Sequence, residues 1–208
     1  VHIDGGRVYV MTNAHNLAEL GELSSRARIY PSGYPEFDVD RVDWIAEPGD
    51  DDLAIVSGRS IRPPPAAVIM PADPDPLDHV TLAGYPYGGT LRIQSVRHTS
   101  RKVPSYSGSP VNELSQSVSR GMSGGGVFSG GRLAGLICAN RSAGSRSYAI
   151  GVGPIRRVLA RLFPRLAAAR GMQLTQWCDD GVCVPQQFYS GSPYGQCHSQ
   201  VVPTQRIV

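Results

Sequence analysis

Lysine is almost absent from this 208-residue chain: Lys102 is the only one, so arginine carries the net charge of +3. Charged residues make up 18% and aromatic residues 7%, beside 41% hydrophobic residues, a balance that excludes a disordered chain. Long apolar runs are missing too. None approaches the roughly 18 residues that a membrane-spanning helix needs, so no membrane span is expected. The one clustering of arginines, Arg156, Arg157, Arg161, Arg165 and Arg170, has a single aromatic residue among them, Phe163. A strip that stacks successive nucleic-acid bases would need several, so the cluster reads as a solvated helix face and no nucleic-acid partner is expected. Helical periodicity is equally scarce, confined to Ile155, Val158, Leu159, Leu162 and Leu166. No signal peptide is visible, but the chain opens at Val1-His2-Ile3 without a methionine, so this gives no information on the compartment.

Turn formers are abundant, with 24 glycines and 17 prolines, and together with short alternating stretches they predict an all-β fold. Strands are expected at 7–12, 26–30, 38–45, 52–56, 79–85, 90–97, 126–129, 132–137 and 148–152. Gly130-Gly131 is a two-residue hairpin signal. A proline-rich passage from Arg62 to Pro76 removes ladder donors and stiffens the chain, which reads as a linker between two units. The helix should begin at Pro154 and kink or restart at Pro164, whose ring clashes with the carbonyl four residues earlier. Gly171 would stop it. There is no internal repeat.

The chemistry centres on Arg120-Gly121-Met122-Ser123-Gly124-Gly125-Gly126. Glycines on both sides of one hydroxyl allow positive φ and close approach, the conditions for presenting a nucleophile beside free N–H groups. Such a stretch is ordinarily only a loop, so a base and an acid are required. Of the five histidines, only His15 ends an apolar strand, after Thr12-Asn13-Ala14. A general base must be neutral near pH 7 and held in one tautomer by a buried acceptor. Asp52 is the best acceptor because Leu53-Ala54-Ile55-Val56 should bury it, whereas Asp50 and Asp51 are expected to face water. The three run in the order His, Asp, Ser, with separations of 37 and 71 residues. That order is the chymotrypsin one and differs from those of subtilisins and α/β-hydrolases.

Thr-Asn-Ala-His at 12–15, Asp-Leu-Ala at 52–54 and Gly-Met-Ser-Gly-Gly at 121–125 resemble the signature blocks of trypsin-like serine peptidases. Thr-Leu-Ala-Gly-Tyr-Pro-Tyr-Gly at 81–88 and Leu-Ala-Gly-Leu-Ile at 133–137 are similar to strand ends in the bacterial HtrA-like branch, here without a PDZ domain. The resemblance covers about residues 7–160. It implies two six-stranded antiparallel β-barrels with a cleft between them. Residues 1–62 would form the first barrel, 63–78 the linker, 79–153 the second barrel, 154–171 a helix and 172–208 a tail. It also implies His15, Asp52 and Ser123 as a catalytic triad, with the N–H groups of Gly121 and Ser123 as the oxyanion hole.

Departures from the family pattern carry further expectations. Met122 stands where Asp or Asn is usual and should give its backbone and a hydrophobic lip. Fewer than 15 residues precede His15, which implies a truncated start, or a partner or other segment that completes the first barrel. By the resemblance, Ser117 would floor the primary pocket and Ile137, Cys138 and Ala139 would line it. An uncharged floor suits small or medium apolar residues before the cut. Leu136 to Asn140 would bind substrate backbone as an added strand.

Three of the four cysteines lie in the tail. Cys178 and Cys183 bracket a turn and are a disulfide candidate, which would favour a secreted or cell-envelope setting over the cytoplasm. Zinc held by Cys178, Cys183, Cys197 and His198 is the alternative, but the spacing matches no standard ligand pattern, so no metal is expected. Cys138 reads as a buried free thiol. The expected activity is therefore a serine endopeptidase that acts on proteins or peptides without a cofactor. The rival is an inactive or zymogen-like binding module on the same fold.

Overall fold

In β2 (Arg7–Thr12), every second residue is buried, the alternation of a strand with one face on a core. It forms an antiparallel ladder with β1 (His2–Asp4) on one side and with β6 (Ala54–Arg59) on the other, and β5 (Arg41–Ile45) completes this sheet. A short helix α1 (Ala14–Ala18) follows β2 directly. Two strands of two residues each, β3 (Arg28–Ile29) and β4 (Phe37–Asp38), form a separate sheet. The computed structural model describes residues 2–4, 6–18, 27–31, 34–47, 49–103, 110–140 and 145–164.

The two N-terminal sheets share one core of Val8, Val10, Leu17, Ala27, Ile29, Phe37, Val39, Ala54 and Val56. Among the described residues no strand ladder joins them. One bond does: Asp40 N–H donates to the Ser57 carbonyl of β6 at 3.0 Å. Where the sequence predicts a six-stranded barrel, the described residues of this half form six strands split four and two. Gly58 makes the packing possible, because a Cβ there would lie 2.0 Å from the Asp38 carbonyl oxygen.

The C-terminal half closes by hydrogen bonds. Its strands are β7 (His79–Gly84), β8 (Arg92–Val103), β9 (Val111–Leu114), β10 (Gly126–Ser129), β11 (Arg132–Asn140) and β12 (Ser147–Gly151). They form a closed barrel in the order β10-β11-β12-β9-β8-β7 with every neighbouring pair antiparallel. The hairpin predicted at Gly130-Gly131 joins β10 to β11, and both glycines have positive φ. Leu82, Leu114, Val127 and Ile137 are among the residues filling the barrel.

A second helix, α2 (Val152–Leu162), follows β12. Its first N–H, on Val152, donates to Asp73 Oδ1 at 2.8 Å, which satisfies a terminal donor that the helix itself leaves unpaired. Phe163 leaves helical geometry at φ −125° and ψ 55°, as expected for the residue before a proline. The buried face of α2, Ile155, Val158 and Leu159, lies in one cluster with Leu53 and Ile55 from β6 and its approach, and with Leu136 and Ile150 from the barrel. That cluster is the seam between the halves. The linker follows the same seam: Met70 N–H donates to the Leu133 carbonyl and Leu133 N–H to the Val68 carbonyl.

Candidate active site

Pairing of Thr12 with Ala54 across β2 and β6 sets residues 12–15 beside residues 52–54. The buried Asn13 side chain donates to the Asp52 carbonyl at 2.9 Å, fixing that turn. His15, in the first turn of α1, then meets the Asp52 carboxylate at two points. Its backbone N–H donates to Oδ1 at 2.9 Å, and its ring Nδ1 lies 2.6 Å from Oδ2. An ionised carboxylate only accepts, so Nδ1 carries the proton and Nε2 of the neutral ring keeps its lone pair. The His15 side chain is 38% exposed and that of Asp52 25%, so the pair sits at the edge of the interior with the histidine outward.

Ser123 comes from the other half and lies in a turn that is bonded throughout. Met122 N–H donates to the Ser119 carbonyl, Gly125 N–H to Met122, Gly124 N–H to Ile137, and Ile137 N–H back to Gly125. Gly121 and Gly124 have φ of +86° and +81°, the left-handed region that glycine adopts without a Cβ clash. Gly121 has no alternative, because a Cβ would sit 2.5 Å from Tyr87 N. Tyr87 also donates its N–H to the Arg120 carbonyl at 2.9 Å. In a trans peptide C=O and N–H point opposite ways, so this bond turns the Gly121 N–H away from Tyr87. Among the described residues neither the Gly121 nor the Ser123 N–H has an intramolecular acceptor.

Asn16 connects the halves. Its Nδ2 donates to the Ser123 carbonyl at 3.1 Å and to Thr12 Oγ1 at 3.0 Å. The histidine-bearing turn is thereby tied to the serine-bearing one.

Comparison with known families matches residues 1–136 to the trypsin-like peptidase domain. The chain belongs to that family. Solved structures agree in fold. The Rv3671c protease of M. tuberculosis in its active form is 24% identical with a TM-score of 0.60, over 78% of this chain and 71% of that one. The same protease in its inactive form is 23% identical with a TM-score of 0.59, over 78% and 81%. The HtrA-type protease AlgW with a decapeptide is 18% identical with a TM-score of 0.62, over 83% of this chain and 58% of that one. No curated protein matches the sequence.

Within this trypsin-like peptidase domain, several residues lie elsewhere than the sequence suggests. Met122 forms no lip: it is fully buried in the barrel core against Gly84, because the turn projects it inward while its backbone stays at the surface. Asp51 does not face water. Its side chain is 15% exposed and accepts from Arg157 of α2 at 3.0 Å. The arginine face of α2 is thus partly a set of internal links, since Arg156 also donates to the Pro71 carbonyl.

Ser117 is exposed and precedes the buried Val118. Ile137 is fully buried in the barrel, and both its backbone groups hold the Ser123 turn. Cys138 is a free thiol at a bulge between Ile137 and Ala139, packed against the inter-half cluster. Burial, then the charge of Asp52, pushes its pKa up to about 12. Ala139 pairs with Tyr148 through its backbone. Pairing with β10 ends at Leu136, so among the described residues the β11 edge beyond Ile137 has no strand partner on the Ser123 side. Cys178 and Cys183, with the zinc alternative, lie outside the described residues. Three residues were missed from the sequence. Asn13 lay inside the quoted Thr-Asn-Ala-His block, and Asn16 one position beyond it. Arg157 carried no local signal.

Proposed function

We propose that the chain is a serine endopeptidase with His15, Asp52 and Ser123 as its triad. The observation that carries this reading is the two-point grip of Asp52 on His15, in a turn that Asn16 ties to the Ser123 backbone. Ser123 Oγ attacks the scissile carbonyl carbon while His15 Nε2 accepts its proton. Asp52 holds the ring in the tautomer that leaves Nε2 basic and stabilises the imidazolium. The oxyanion forms against the N–H groups of Gly121 and Ser123, whose lack of internal acceptors suits them to it. His15 then protonates the leaving amine, which departs and leaves an acyl-enzyme. Water, deprotonated by the same histidine, releases the acid product. An extended substrate adds to the open edge of β11 beyond Ile137. Ser117 remains the proposed floor of the primary pocket, favouring small or medium apolar side chains.

A fluorophosphonate probe tests the reading. Labelling of the wild type that is lost in Ser123→Ala and reduced in His15→Ala is the expected result. A wild type that stays unlabelled, with its fold intact by circular dichroism, would leave a protease-fold binding module in its place.

A further inference from the structure

The two halves carry opposite charge. Residues 1–78 hold fourteen carboxylates against six arginines, whereas residues 79–177 hold thirteen arginines and lysines against a single carboxylate, Glu113. Four acids of the first half pair within it: Asp40 with Arg7, Glu36 and Asp38 with Arg28, and Asp43 with Arg41. Several cations of the second half are also occupied. Arg146 pairs with the buried Glu113, Lys102 with Asp73 and Arg157 with Asp51.

Two of those not so occupied lie together. The segment 115–120, which leads into the Ser123 turn, runs along β8. Ser115 exchanges bonds with the Arg97 backbone, Gln116 accepts from Gln94 at 2.8 Å, and Ser119 Oγ accepts from Arg92 at 3.1 Å. Arg92 and Arg120 are exposed at this strip, with no carboxylate partner among the described residues, whereas Arg97, an odd number of residues along the regular strand β8, projects from its other face. Arg120 is adjacent to Gly121. Exposed guanidinium groups beside a cleft raise the local concentration of anionic partners and speed their encounter.

We infer that the preferred substrates are acidic polypeptide segments, drawn to the cleft by Arg92 and Arg120. This rests on the peptidase reading above and names its substrate class. Ser117 at the primary pocket selects an uncharged residue at the cut, and the strip selects carboxylates flanking it.

The test uses three peptides with one scissile core, flanked by Asp and Glu, by Lys and Arg, or by uncharged residues. At low salt the acidic peptide should exceed the basic one in kcat/KM by about tenfold, and the gap should shrink as ionic strength rises. Arg92→Gln should narrow the gap while leaving the uncharged peptide unchanged, and Arg97→Gln, on the other face of β8, should leave the gap as it is. Equal rates on all three peptides would overturn the inference and leave the peptidase reading standing. Equal rates accompanied by binding to phosphatidylglycerol vesicles that Arg92→Gln weakens would assign the strip to a membrane surface instead. If no peptide is cleaved and the fluorophosphonate probe does not label Ser123, the peptidase reading fails and takes the inference with it.

Discussion

The two halves reach closure by different means. In the C-terminal half, a ring of strand ladders surrounds the core, so each strand has two ladder partners and the fold is specified by its own backbone, with the β11 edge beyond Ile137 left open among the described residues. In the N-terminal half, a four-stranded and a two-stranded sheet meet over shared side chains, with one backbone bond from Asp40 to Ser57 at the seam. The Ser123 turn is built on the self-contained half and the His15–Asp52 pair on the other. Order in that pair therefore leans on what crosses the seam: α2, the Asp51–Arg157 pair and Asn16.

The largest effect is expected within the closed half. Gly121→Ala places a Cβ 2.5 Å from Tyr87 N at a φ of +86°. It should cut peptidase activity by about 100-fold or more, the scale of a lost oxyanion donor, with fluorophosphonate labelling falling in parallel. Activity within threefold of wild type would show that this turn tolerates movement and that the closed half is not the rigid partner. Next is the seam. Leu159→Ala removes a buried contact of α2 and should cost about 2–5 kcal/mol in denaturant unfolding. Hydrogen exchange should then rise more in β2 and β6 than in β7 to β12. Equal rises would erase the distinction between the halves.

Asp73→Asn probes the helix start at roughly 1 kcal/mol. Burial alone would raise the Asp73 carboxyl, but the Val152 N–H, Lys102 and Asn112 together hold it below its ordinary value of 3.8. A carboxyl lowered in the folded state contributes stability that is present above its unfolded value and is lost as pH falls through the folded one. The gap between wild type and Asn in thermal unfolding should therefore narrow as pH drops below about 4. The smallest change is Arg157→Gln. An ion pair with an exposed arginine contributes about 0.5 kcal/mol, so global stability should barely move while exchange in the Asp51–Leu53 turn rises.

Much of this was legible in residue order. His15 and Asp52 could be picked from the sequence because His15 follows the apolar strand β2 and Asp52 precedes the apolar run Leu53–Val56 that opens β6, where Thr12 pairs with Ala54. The Gly130-Gly131 hairpin was equally plain. β9 was not legible: Val111, Asn112, Glu113 and Leu114 are all buried, so no alternation marks it, and Glu113 is tolerated only because Arg146 and Thr99 satisfy it. The second half of β8, His-Thr-Ser-Arg-Lys-Val, was hidden for a related reason, as a polar run held by pairing rather than by its own hydrophobicity. Met122 was misplaced because its neighbours suggest an exposed turn, while its side-chain direction depends on where β7 passes beneath. Arg157 and Asp51 are 106 residues apart, and no local pattern could join them.

The Asn16–Ser123 bond closes a loop of 107 residues, and its consequence concerns timing. During synthesis the N-terminal half emerges first, and it can pack its own sheets while the Ser123 turn is still untranslated. His15 and Asp52 can meet at that stage, but nothing yet exists for them to activate. The bond can form only after the barrel has closed around Met122, so the proposed hydrolytic centre is assembled last. A nascent chain on the ribosome would thus stay harmless to its neighbours until its own folding is nearly complete.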